Sequence, residues 1–140
     1  MIKKQLVNNA KKTEIFLKKY IKKQNQTHLL KAMKYGTLSG GKKIRSSVII
    51  NTGKLFNLNV EKLINICGAV ECIHSYSLIH DDLPCMDNDK IRRGKPSTHI
   101  KFGEASAVLA GSSLLTLAFE IIADKNYKIN PKIKNKIIKF

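Results

Sequence analysis

Apolar residues recur at helical steps along nearly the whole chain. Ile2, Leu6, Ala10, Phe16 or Leu17, and Tyr20 or Ile21 are spaced for one helix face, with lysines between them. Leu29, Leu30, Ala32 and Met33 predict a second, short helix ended by Gly36. Ser39-Gly40-Gly41 is a break, and a third helix is expected from about Lys42 to Phe56. Asn57 to Asn59 reads as a turn. From Val60 to about Leu83 the chain is apolar on most faces, the pattern of a central buried helix. Pro84 ends or distorts it. A short piece follows near Ser97 to Lys101, then a long helix from about Glu104 to Ala123, a turn over Asn126 to Pro131, and a further helix. No run has the period of a strand, and there is no internal repeat or interdomain linker. The expected class is all-α, a bundle of long helices. The closing IKNKIIKF keeps helical spacing, so residues 1–140 read as the N-terminal portion of one longer domain, a partial bundle.

Composition adds a strong charge. The 140 residues carry 26 Lys and Arg against 10 Asp and Glu, a formal net charge of +16. Only Arg45, Arg92 and Arg93 are Arg; the lysines fall in pairs such as Lys3-Lys4, Lys11-Lys12, Lys18-Lys19 and Lys22-Lys23. They fit a compositional bias placed on solvated helix faces, or a surface for nucleic acid or anionic membrane. No aromatic residues interleave them as stacking platforms, which favours the compositional reading and no nucleic-acid partner. In a chain that prefers Lys, three arginines mark places where a planar fork matters. Cys67, Cys72 and Cys85 lack zinc spacing and suit a reducing compartment, the first two as core helix residues. The N-terminus has no apolar signal core, and the uncharged run Ala105 to Phe119 is short for a bilayer. The expectation is a cytoplasmic protein with no membrane span.

The candidate chemistry concentrates in HDDLPCMDNDKIRRGKP, His80 to Pro96. Four of the ten acids, Asp81, Asp82, Asp87 and Asp89, fall within nine residues, and Arg92 and Arg93 follow. Acids at a helix C-terminus oppose its dipole, so a cation should offset them. A break at Pro84 can fold the loop back and bring Asp87 near Asp81. Carboxylates held so close repel unless a cation bridges them, and oxygen ligands in an open loop suit Mg²⁺. Metal and arginines together describe a diphosphate site. A salt bridge between the arginines and the loop's own aspartates is the plainer alternative, and the two can coexist.

SGGKKIR, Ser39 to Arg45, reads as a second anion site. Two glycines free the backbone just before a helix N-terminus, and Lys42 and Arg45, three apart, would share a face. The P-loop spacing is missing. His74 lies two helical turns before Asp81 on the same face, either a satisfied core histidine or a substrate contact. His80 beside Asp81 could signal a metal phosphohydrolase, but that needs further histidine ligands. His28 and His99 have no matching context and are expected at the surface.

ECIHSYSLIHDDLPCMDNDKIRRGKPSTHIKFGEA resembles the first aspartate-rich region of bacterial farnesyl diphosphate synthases, members of the trans-isoprenyl diphosphate synthase family. GGKKIR resembles that family's upstream GGK-x-x-R, and GEASAVLAGSSLLTLAFEII its following helix. The resemblance covers most of Tyr35 to Ile122 in order. It implies an isoprenoid-synthase-type bundle, Mg²⁺ as cofactor, and a head-to-tail condensation. An allylic diphosphate (dimethylallyl or geranyl) loses diphosphate, and the double bond of isopentenyl diphosphate attacks the carbocation. Carried over, Asp81 and Asp87 would be Mg²⁺ ligands with Asp82 supporting, and Arg92 would hold the allylic diphosphate. Lys42, Arg45, His74 and Arg93 would hold isopentenyl diphosphate. Tyr76, with the small Ser77 beside it, would set product length at the fifteen-carbon farnesyl stage. The long uncharged helix after Glu104 suggests a helix-packed homodimer when full length.

Departures accompany the likeness. Ser46 stands where the family often has Pro, Gly111-Ser112-Ser113-Leu114-Leu115 where it has GDALL, and Asn88 where Asp is frequent. A second aspartate motif is absent, so the 140-residue chain is expected to be catalytically incomplete. A geranyl- or geranylgeranyl-type synthase, a non-catalytic regulatory subunit of the same fold, and a basic nucleic-acid binder remain as alternatives. Terpene cyclases have no need of a second diphosphate site.

Overall fold

A computed structural model describes residues 2–22 and 27–139. Seven α-helices and one small hairpin occupy the described residues, confirming the all-α class. They are α1 (Ile2–Lys22), α2 (His28–Leu38), α3 (Ile44–Leu55), α4 (Val60–Asp81), α5 (Thr98–Phe102), α6 (Glu104–Ala123) and α7 (Pro131–Lys139). The side chain of Ile2, Lys23 of the lysine pairs and the final Phe140 lie outside what is described.

Helix α4 is the centre, packed most extensively on α6 and next on α3. Its buried side includes Leu63, Cys67, Ala69, Cys72, Ser75 and Ile79. Of these, Ala69, Cys72 and Ile79 join Leu17 and Ile21 of α1, Leu30 and Met33 of α2, and Leu114, Leu117 and Ile121 of α6 in one core. Starts are set by side-chain caps: Thr27 Oγ1 accepts from Leu30 N–H at 3.1 Å, and Asn59 Oδ1 from Glu61 N–H at 2.8 Å. Cys67 and Cys72 are buried and unpaired as expected, and burial pushes both thiols up to about 12. Helix α6 is long and apolar enough to cross a membrane by length and composition. Here its buried face, from Ala107 to Ile122, packs on the core.

Three expectations need correction. Helix α2 runs through Gly36 to Leu38. That glycine is a packing contact, since a Cβ there would meet Ile79 Cδ1 at 2.4 Å. Helix α3 begins at Ile44, because Lys43 takes a left-handed backbone with φ 46°. His99 is buried at 5% exposure, with Nδ1 3.2 Å from Ser97 Oγ. Its place in α5, the short helix wedged beside α6 and α2, was invisible to a reading that had no neighbours for it. His28 is exposed as expected.

The segment after the acidic loop also holds an antiparallel hairpin, β1 (Ile91–Arg92) and β2 (Lys95–Pro96), too short to show a period. Its two turn residues, Arg93 (φ 54°) and Gly94 (φ 72°), both take the left-handed backbone that a two-residue hairpin turn requires. Tyr35 of α2 fastens the hairpin by donating its hydroxyl to Pro96 O at 2.7 Å.

Candidate active site

The acidic loop leaves α4 at Asp81 and folds back on itself. The Asp87 N–H donates to Asp81 O at 2.8 Å, and Asn88 N–H to Leu83 O at 3.0 Å. The turn at Pro84 thus brings Asp87 beside Asp81, as the spacing suggested. Asn88 sits at φ 54°, a backbone region that Asn tolerates better than most residues. Its departure from the family's frequent Asp therefore has a local reason. Asp81 is half-buried and Asp87 exposed, so both carboxylates can meet a ligand from solvent.

Asp82 points the other way. It is buried at 2% and accepts from Arg92 Nε at 2.7 Å (Oδ1) and 2.9 Å (Oδ2), with Arg92 Nη2 on Oδ1 as well. Arg92 Nη2 also reaches Asp89 Oδ2 at 3.2 Å. The hydrogen bonds that Arg92 donates to Asp82 raise the guanidinium's pKa further, fixing its charge. Arg92 Nη1 has no protein partner among the described residues. The loop's own salt bridge thus holds an Arg92 side chain that stays 31% exposed.

Arg93, the next residue, turns to the glycine loop. Its Nη1 donates to Gly40 O at 2.7 Å, and its guanidinium lies so close to Gly41 that a Cβ there would meet Cζ at 2.8 Å. Gly40 (φ 93°) and Gly41 (φ 105°) are in the region that favours glycine. The neighbouring charges assemble around His74. Burial lowers its pKa first, and Arg45, Arg93 and Lys43 lower it further against Glu71. Arg45 in the first turn of α3 and Arg93 bonded at Gly40 thus group with His74 as one cluster, and their charges favour its neutral imidazole. Lys42 is exposed and precedes that helix, so the shared-face argument for Lys42 and Arg45 does not apply.

Sequence reasoning missed two residues, Lys43 and Glu71. Lys43 is 6% exposed; its Nζ donates to Thr37 O at 2.9 Å and lies 3.8 Å from Glu71 Oε2. Glu71, 2% exposed on α4, accepts on Oε1 from Ser46 N–H at 3.2 Å and Ser46 Oγ at 3.0 Å. Ser46 thus gives Glu71 two donors where a proline would give none. Burial lowers the Lys43 pKa, with Glu71 acting against it. The readable signal was a Glu inside the otherwise uncharged stretch from Leu63 to Ile79 of α4.

On the apolar side of the site, Tyr76 packs edge-on against His80 with centroids 4.7 Å apart. The His80 ring, 3.0 Å from Val108 O through Nε2, lies against Gly111. His80 is therefore engaged with α6. Half-buried Ser77 donates its hydroxyl to His74 O at 3.0 Å.

A metal would have to bind the acidic loop. Among the described residues no three His, Cys, Asp or Glu side chains form a cluster. Mg²⁺ needs only one or two protein carboxylates when waters and substrate phosphates fill the rest, so the oxygen donors of Asp81 and Asp87 fit it.

The polyprenyl synthetase family model matches residues 26–139. The farnesyl diphosphate synthase of Buchnera aphidicola subsp. Acyrthosiphon pisum is 57% identical over 99 residues, 71% of this chain and 35% of that protein. The chloroplastic geranylgeranyl pyrophosphate synthase of Capsicum annuum is 50% identical over 100 residues, 71% of this chain and 27% of its own length. An FPP/GFPP synthase structure from Zymomonas mobilis superposes with a TM-score of 0.92 at 39% identity, over 98% of this chain and 50% of that one. The chain spans half or less of the length of each.

Proposed function

This chain belongs to the polyprenyl synthetase family, and we propose that it forms the diphosphate-binding wall of a Mg²⁺-dependent prenyltransferase. The reaction is head-to-tail condensation of isopentenyl diphosphate with dimethylallyl or geranyl diphosphate, giving farnesyl diphosphate. The observation that carries this reading is the hairpin. Arg92 and Arg93, adjacent in sequence, serve different loops: one braces the acidic loop through Asp82, the other the glycine loop through Gly40. Two anion sites are thereby set side by side, as a reaction between two diphosphates requires.

In this mechanism Asp81 and Asp87 would hold Mg²⁺, whose chemistry there would be charge neutralisation of a diphosphate leaving group. Asp82 keeps Arg92 oriented, and the free Nη1 of Arg92 meets the allylic diphosphate. Arg45, His74 and Arg93, with Lys42 reaching from solvent, hold isopentenyl diphosphate. The Tyr76 ring, braced by His80, closes the apolar channel below Asp81 and limits product length. Exposed Val108, Leu109 and Phe119 on α6 support a homodimer when the protein is full length, working in the cytoplasm. Catalysis needs a facing wall, so the 140-residue chain alone turns over slowly or not at all.

Calorimetry with isopentenyl diphosphate and a non-hydrolysable allylic analogue, with and without Mg²⁺, tests the reading. Binding of the allylic analogue should need Mg²⁺; binding indifferent to the metal would sink the assignment of Asp81 and Asp87. The same chain given both diphosphates and Mg²⁺ should form little product, and rapid farnesyl diphosphate formation would refute its incompleteness. The geranylgeranyl-type alternative has support in the Capsicum likeness. Product length after supplying the C-terminal half of a relative decides it, and there Tyr76→Ala should lengthen the product.

A further inference from the structure

We propose that Lys43 and Glu71 act together as positioning residues, fixing the loop Gly40–Lys43 so that Arg45, His74 and Arg93 converge on one diphosphate. This rests on reading that cluster as a diphosphate site. The pair lies under the cluster, not in it. Both side chains are nearly closed to solvent, and neither is a free donor for a ligand.

Its geometry joins four elements. The Lys43 ammonium takes Thr37 O, a carbonyl in the last turn of α2 that lacks a helical partner. The Glu71 carboxylate takes Ser46 N–H, an unpaired amide in the first turn of α3. One Lys–Glu contact at 3.8 Å thus ties the end of α2, the loop, the start of α3 and the middle of α4. Each cluster member is anchored to this assembly. Arg45 lies in the first turn of α3, and His74 stands one turn after Glu71 on α4. Arg93 is bonded to Gly40 O and stacked on Gly41.

The loop needs such an anchor. Gly40 and Gly41 have a wide choice of backbone states, and Lys43 is a side-chain-bearing residue at φ 46°. Released from Thr37 and Glu71, Lys43 would relax towards ordinary backbone angles. The Gly40 carbonyl would then move, and Arg93 with it. A well-packed apolar pair is often as stable as a buried ion pair. It could not, however, bond a helix C-terminus and a helix N-terminus at once. The two charges therefore fix shape, and a preformed cluster spares the ligand the ordering cost.

The test uses the 140-residue chain and inorganic pyrophosphate. Lys43→Gly with Glu71→Gln removes both charges together, while glycine keeps the left-handed backbone and glutamine an acceptor for Ser46. Amide exchange over residues 40–45 should become at least about tenfold faster, and pyrophosphate binding at least about tenfold weaker. Lys43→Arg should bind within about threefold of the unmodified chain, because it restores a buried cation. Leu114→Ala, which weakens the core elsewhere, should leave binding unchanged. Unchanged exchange and binding in the double variant overturn the proposal. Weaker binding with unchanged exchange also overturns it, by making Lys43 a direct electrostatic contributor. If the double variant does not fold, Glu71→Gln alone decides by the same two readouts. If the unmodified chain binds no pyrophosphate or isopentenyl diphosphate, the reading of the cluster falls, and loop exchange alone then judges the anchor.

Discussion

The acidic loop from Asp82 to Asp89 is held by its own backbone and a half-exposed arginine, whereas the glycine loop from Ser39 to Lys43 is fastened from beneath by a buried ion pair. Both present charge to the proposed site, but they keep their shape at different depths. In the acidic loop the groups that meet a ligand and the groups that hold the loop are neighbours in sequence. In the glycine loop the holder, Glu71, is 28 to 32 positions from the residues it orders. Changes to the first loop should therefore separate binding from stability, and changes to the second should damage both.

The largest effect is expected at Glu71. Glu71→Leu leaves the Lys43 ammonium buried without its counter-charge and strips Ser46 of its acceptor. Breaking one side of a buried pair costs about 3–5 kcal/mol. Urea denaturation should show that loss, and a loss below about 1 kcal/mol would erase the contrast between the loops.

Within the acidic loop a paired comparison should sharpen it. Asp82→Ala removes a buried acceptor from Arg92, whose side chain is 31% exposed. Water can replace part of that contact, so the expected cost is about 1.5–3 kcal/mol. Asp87→Ala changes an exposed carboxylate and should alter stability by no more than about 0.5 kcal/mol. It should nevertheless weaken Mg²⁺-dependent pyrophosphate binding by about tenfold or more, equivalent to about 1.4 kcal/mol. If the two variants lose stability equally, the division between holding and binding residues within the loop is wrong.

The same contrast explains what the sequence could reveal. Asp81, Asp87, Arg92 and Arg93 stand out because scarce residue types crowd into one short segment, and the fold-back at Pro84 follows from local chain chemistry. Helices α4 and α6 were legible because long apolar runs permit little else. The start of α3 was not, because it depends on a left-handed Lys43 whose side chain is held by Thr37 O and by Glu71, a residue distant in sequence. His99 was misplaced for a similar reason: burial in a five-residue helix is imposed by neighbours, not by its own pattern. The division of Arg92 and Arg93 between two loops was also hidden, since it follows from the hairpin turn at Arg93 and Gly94.

The smallest effect is a proton. Burial lowers the His74 pKa first, and the charges of Arg45, Arg93 and Lys43 lower it further against Glu71. Its folded pKa is therefore below the unfolded value of about 6.5. Below that value the unfolded chain binds a proton that the folded chain resists, so His74 costs stability as pH falls through about 6.5 and the cost levels off below the folded pKa. A diphosphate in the cluster would reverse the local field, favour the imidazolium and raise the pKa. An NMR titration of the His74 ring should thus show a midpoint below about 6.5 in the free chain and a higher one with pyrophosphate. Asp87→Ala, which leaves the glycine loop intact, should preserve the free-chain midpoint, whereas Lys43→Gly with Glu71→Gln should change it. A His74 midpoint indifferent to both pyrophosphate and the double variant would mean that the cluster is not one electrostatic unit, and the glycine loop would lose its claim to a site of its own.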